Sequence, residues 1–160
     1  MPPAPPTTMH TPDPHYRERT LAAFAHQPWA EHLGMEATDA GPGWFTIRCP
    51  LQAFHRQHDG LVHGGVLATL ADTAAALAAY TLAAPGQRIV TVEFKINYLR
   101  PAAGDALLCR GSVLRPGRTI TVSEAEIFSL DGETRLLVAK ALATIAILPG
   151  DPNGESGLRV

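Results

Sequence analysis

Apolar residues follow two different rhythms along this chain. From His63 to Tyr80 they are nearly continuous: a glycine pair opens a run of Ala and Leu that meets no Pro or Gly until Pro85. That composition predicts one long helix, apolar on almost every face and therefore buried. From Arg88 onward the rhythm changes to alternation. Val90, Val92, Phe94, Ile96 and Tyr98 fall on one face of a strand, with Thr91, Glu93, Lys95 and Asn97 on the other. Turns at 101–105, at Pro116-Gly117 and at Asp131-Gly132 divide the rest of the chain into strands over 106–114, 119–129 and 134–148. The apolar phase slips near Glu124, which predicts a bulge there. Before the long helix, residues 15–26 read as a short helix near Asp13 as a cap, stopped by Pro28. Gly41-Pro42-Gly43 is a turn, Trp44 to Cys49 the first strand, and 51–62 a connecting loop. One strand, a central helix, then four strands is an α+β order.

Composition narrows the class. The chain has 160 residues, 46% of them hydrophobic, enough for one domain with a real core. A net charge of -2 argues against nucleic acid or an anionic membrane as partner. Residues 1–14, with six prolines, suit an extended or disordered tail, and 149–160 a flexible one, leaving 15–148 as the domain. The first residues contain no apolar core of a secretory signal, so a cytoplasmic location is expected. Cys49 and Cys109 have no metal-type or redox spacing and read as small buried hydrophobes. His55, His58 and His63 fit no strong ligand pattern, so neither a metal nor a cofactor is expected.

Candidate chemistry concentrates in the long helix. Asp72 is its single charge, and a lone carboxylate there must find a partner or reach solvent. Gly64 and Gly65 leave backbone N–H groups open at the positive N-terminal end, where a carbonyl can be polarised. The two features lie eight residues apart, about 12 Å along the axis. Catalytic groups must approach one carbonyl within roughly 3–3.5 Å. A single helix cannot do this, but two antiparallel copies can. Ala68, Ala71 and Ala75, along one side, are small enough for a close approach, which points to a composite site on a two-fold interface. The chain has no G-x-S-x-G elbow, Walker A loop or dinucleotide fingerprint.

The run from Gln57 to Gly65 followed by Leu70-Ala71-Asp72 resembles the hotdog-fold acyl-CoA thioesterases of the PaaI (phenylacetyl-CoA thioesterase-like) family. The stretches from Val92 to Pro101 and from Arg115 to Arg118 resemble it too, in the family's order, and the likeness covers about Leu33 to Leu148. The resemblance implies an antiparallel sheet curled around one long helix, and hydrolysis of an aryl- or medium-chain acyl-CoA. It implies a homo-oligomer, a dimer at least and commonly a tetramer. The Gly64 N–H would polarise the thioester carbonyl, beside Gly65. Gln57 would place the thioester or the water, and His63 would order the loop with its ring near the sulfur. Asp72 of the facing copy would act as general base or nucleophile. Where some relatives carry Ser or Thr one turn after the carboxylate, this chain has Ala76, and the candidate substitute on the substrate side is Thr73, about 100° around the helix. Arg100, Arg115 and Arg118 lie at strand ends or turns, where they could meet the phosphates of coenzyme A. The competing implications are a hotdog enoyl-CoA hydratase, for which Asp59 and His63 stand too close in sequence, and a non-catalytic acyl-CoA-binding protein.

Overall fold

A computed structural model describes residues 9–150. The expectations for residues 1–8 and 151–160 lie outside the described residues. Two short helices come first, α1 (Tyr16–Ala25) and α2 (Pro28–His32). Pro28 occupies the first turn of α2, where its missing N–H costs nothing, and Gly34 at φ +62° ends that helix. Strands β1 (Glu36–Gly41) and β2 (Trp44–Pro50) then form a hairpin closed by Pro42-Gly43, with Gly43 at φ +79° as such a turn requires. The long helix is α3 (Gly64–Tyr80). Four strands come after it: β3 (Arg88–Tyr98), β4 (Ala106–Arg115), β5 (Ile120–Asp131) and β6 (Thr134–Leu148). All pairings are antiparallel, in the order β1-β2-β4-β5-β6-β3. The sheet packs on α3 through five strands, β2 to β6. This is the architecture expected from the resemblance.

Three expectations about the strands change. Two strands, not one, precede α3. β1 reads Glu-Ala-Thr-Asp-Ala-Gly, with no alternation to reveal it, because an edge strand held by a hairpin draws on backbone hydrogen bonds rather than on apolar side chains. The bulge expected near Glu124 is not in β5 itself; the extra residue there is Leu114 of β4, between Val113, which pairs with Ser123, and Arg115, which pairs with Val122. β5 alternates without a break, and Thr121, Ser123 and Ser129 occupy inward positions that an apolar pattern would miss. An irregularity in that ladder does occur, at Ile127/Phe128, and another interrupts β3 between Thr91 and Glu93. As a result Val90 and Val92 do not share the face of Phe94 and Ile96; Val92 is 57% exposed.

α3 lies unusually close to β4. Ala71, Ala74, Ala75 and Ala78 are fully buried, and a Cβ on Gly111 of β4 would overlap the Ala74 carbonyl and reach the Ala75 nitrogen. Ala71 and Ala75 therefore spend their small size on the sheet, not on a second helix as expected from sequence. The open stripe of α3 is instead Ala68, Thr69, Asp72, Thr73 and Ala76, all half-buried. Among the described residues no helix is long and apolar enough to cross a membrane.

Residues 9–14, grouped with the tail by composition, lie against the domain. Asp13 is buried and accepts from the His15 N–H (2.9 Å) and from Arg19 Nε (2.7 Å). Arg19 also donates to the carbonyls of Tyr80, the last residue of α3, and of Ala83 just past it, and stacks over the Tyr80 ring. One guanidinium thus ties the N-terminal segment to the end of the central helix. The Arg19 hydrogen bond, then that from His15, holds the Asp13 carboxyl below its usual value. A depressed carboxyl stabilises the fold above its unfolded value of about 4, and that contribution disappears as pH falls through the folded value. Arg19→Gln is expected to lower the melting temperature at neutral pH. The gap from wild type should narrow at about pH 2, as thermal melts at both pH values would show.

Candidate active site

The loop before α3 is held by backbone and buried side chains. His55 is fully buried: its Nδ1 accepts from the Gln52 N–H (2.9 Å) and its Nε2 pairs with the Leu33 carbonyl (3.0 Å). Both ring nitrogens are occupied, so His55 is a structural residue and not a metal ligand. Arg56 donates to the carbonyls of Gly60 and Gly104, closing the turn from Gln57 to Leu61. The His63 N–H then donates to the His55 carbonyl and the Val62 N–H to that of Ala102, which sets the direction in which α3 begins.

His63 is the N-cap of α3. Its Nδ1 accepts from the Gly65 N–H at 2.9 Å, which in a neutral ring leaves the proton on Nε2. The sequence alone predicts that both glycine N–H groups are open. Gly65 is not, because the cap takes it. Among the described residues no group accepts from the Gly64 N–H, so the free donor at the helix N-terminus is Gly64 alone. Its carbonyl accepts from the Tyr98 hydroxyl (3.0 Å), and that ring stands against the glycine's missing side chain.

A cavity of about 330 Å³ surrounds this donor. Gln57, Gly64 and Arg100 line it together, between the apolar side chains of Leu61, Leu67 and Leu99. No described residue bonds the Gln57 side-chain amide, while Arg100 donates to the Leu137 carbonyl. Asp72 is elsewhere. It lines a separate cavity of about 280 Å³ with Ala68, Thr69, Thr91 and Phe94, and Thr91 donates to its Oδ1 at 2.8 Å. Thr73 lines neither cavity. Arg118 borders a third cavity beside Ala79 and Leu82, at the C-terminal end of α3, and Arg115 ends β4. The 17 residues of α3 put that end about 24 Å from Gly64. Within one protomer the structure therefore unites Gln57, Gly64 and Arg100, and keeps Asp72, Arg115 and Arg118 apart from them.

Residues 59–135 match the model of the thioesterase superfamily. The medium/long-chain acyl-CoA thioesterase YigI of Escherichia coli is 30% identical over 137 residues, covering 76% of this chain and 86% of YigI. The chain belongs to the thioesterase superfamily. A candidate esterase of Halobacterium salinarum is 39% identical over 100 residues, which span 59% of this chain and 66% of that protein. The crystal structure of a thioesterase family protein from Silicibacter pomeroyi superposes with a TM-score of 0.83 at 32% identity, covering 84% of this chain and 99% of that one. The E. coli PaaI protein superposes at 0.76 and 26% identity, over 85% and 96%. This protein is a hotdog-fold thioester hydrolase of the PaaI-like kind.

Two residues that border the candidate site are not singled out by the sequence. Tyr98 reads from sequence only as an apolar strand position, although its hydroxyl holds the start of α3. Thr91 reads from sequence as part of the polar face of its strand. Neither cysteine can compete as nucleophile. Cys49 and Cys109 are fully buried, and burial pushes the Cys49 thiol up to about 11 and that of Cys109 higher still.

Proposed function

We propose that this thioesterase hydrolyses aryl- or medium-chain acyl-CoA to the free acid and coenzyme A, at a site shared by two copies of the chain. One observation carries the reading. The free Gly64 N–H and the unpaired Gln57 amide share one cavity, while the only carboxylate of α3 sits about 12 Å down the axis in another. Both cavities include residues of β3, the last strand of the sheet, whose outer edge is unpaired among the described residues and carries exposed Val90, Val92 and Tyr98. An exposed apolar edge favours pairing with another strand. A second copy joined there by a two-fold axis, with its α3 antiparallel, sets its Asp72 opposite Gly64. The same arrangement carries that copy's Arg115 and Arg118 past the N-terminus of α3, towards the side of Arg100, where coenzyme A phosphates would lie. The relative YigI, named for acyl-CoA, supports the substrate class.

In this site the thioester oxygen accepts from the Gly64 N–H, and Gln57 orients the thioester or the water. Asp72 takes a proton as water oxygen bonds to the carbonyl carbon. Negative charge builds on the carbonyl oxygen, and the C–S bond then breaks to release the thiolate. In the alternative route Asp72 attacks first, expels the thiolate and forms a mixed anhydride that water opens.

Thiol release from phenylacetyl-, benzoyl- and straight-chain acyl-CoAs tests the substrate class; no release from any of them would overturn it. Mixed dimers test the shared site. Gly64→Pro removes the donor at a position where helices tolerate proline, with a small shift of the Tyr98 ring. Gly64→Pro and Asp72→Asn should each be inactive alone. Their heterodimer rebuilds one intact site and should recover roughly half the wild-type rate. Failure of the mixture to recover any activity would place the site within one chain.

A further inference from the structure

The sequence leaves Asp72 without a hydroxyl partner on its own helix, since the position one turn on is Ala76. A different element supplies one. Thr91 of β3 donates its hydroxyl to Asp72 Oδ1 at 2.8 Å. This contact depends on the irregularity in β3. Thr91 pairs with Ile145 and Glu93 with Thr144, so Val92 is an extra residue without an opposite number. In an unbroken ladder Thr91 would point the same way as Glu93, whose exposed carboxylate accepts from Thr144 on the outer face. The extra residue turns Thr91 to the inner face, with Phe94 and Ile96. The nearer hydroxyl on α3 is already used: Thr69 donates to the Gly65 carbonyl at 2.9 Å. Among the described residues Thr91 alone bonds the Asp72 carboxylate, and both line the same cavity.

We propose that Thr91 is a positioning residue for hydrolysis. By donating to Oδ1 it holds the carboxylate in one rotamer and leaves Oδ2 for the reacting water or carbonyl carbon. A carboxylate free to rotate would spend much of its time out of line, and misplacement of about 1 Å costs a large factor in rate. The bulge at Val92 is then a device of the site, since it aims the hydroxyl. This inference rests on Asp72 being the catalytic carboxylate.

Thr91→Val keeps the shape and removes the hydroxyl; Thr91→Ser keeps the hydroxyl. The Val variant is expected to lower kcat about tenfold, with KM changed by less than about twofold. The Ser variant should recover most of the loss. Added to Asp72→Asn, Thr91→Val should cost nothing further, because the group it positions is gone. Wild-type kcat in Thr91→Val, or a loss that Ser does not restore, would overturn the proposal. If the wild type releases no thiol from any acyl-CoA, the hydrolytic reading fails separately. Crystal structures of wild type and Thr91→Val then decide the pairing: an Asp72 side chain that turns away in the variant supports it, and an unchanged rotamer overturns it.

Discussion

Asp72→Asn is expected to reduce kcat/KM for thioester cleavage by about a thousandfold while leaving the fold intact. Asn has the same shape, and its carbonyl oxygen can still accept the Thr91 hydroxyl bond. It lacks the capacity to take a proton from water or to form an anhydride. No other acidic residue lies on α3. Thiol release measured beside melting temperature and oligomer size separates this chemical loss from a structural one. A variant within tenfold of wild type would remove Asp72 from the chemistry. Loss of activity with a large drop in melting temperature would mean that the carboxylate serves the fold. Oxygen-18 water in a single turnover then tells the two routes apart. With a general base, the solvent oxygen enters the product acid directly. With an anhydride opened at the Asp72 carbonyl, it enters the enzyme first.

The second large effect concerns stability. Gly111→Ala is expected to cost about 3 kcal/mol or more, at the upper end for an overpacked core. For a domain of this size that is a drop of about 6–12 °C in melting temperature. The reason lies in the atoms that the new methyl group meets. It would not touch the flexible end of a side chain but the backbone of α3 at Ala74 and Ala75, which cannot turn aside. Gly111 is also paired on both sides, with Phe45 of β2 and Ala125 of β5, so β4 cannot retreat. Relief has to come from moving α3 off the sheet, and α3 carries Gly64 and Asp72. The variant should therefore lose activity faster than it loses secondary structure. Circular dichroism melts and thiol release on the same sample would show this. An unchanged melting temperature would mean that α3 and β4 are not in such close contact.

Much of the molecule was legible in the order of its residues. The span of α3, the boundaries of the later strands, the buried cysteines and the shared presence of a helix terminus and a carboxylate on one helix all come from local rules. Helix propensity, turn residues and alternation act over a few neighbours, and the distance from Gly64 to Asp72 is fixed by helical rise. The proposal of a site shared between two copies therefore starts from the spacing of these two residues in the chain.

The features decided by tertiary structure involve residues far apart in the chain. β1 is a strand because β2 pairs with it; its own residues show no strand pattern. The extra residue at Val92 exists only in the register of β3 against β6, yet it determines whether Thr91 faces Asp72 or the outer surface. Ala71 and Ala75 could have lain against a helix or a sheet, and Gly111 of β4 makes it the sheet. The Gly65 N–H looked as open as that of Gly64, but the His63 ring folds back on it. Arg100 and Arg118 looked alike as turn arginines, but they lie at opposite ends of α3. In each case the deciding partner belongs to another strand, helix or side-chain rotamer, and no local pattern records which partner that will be.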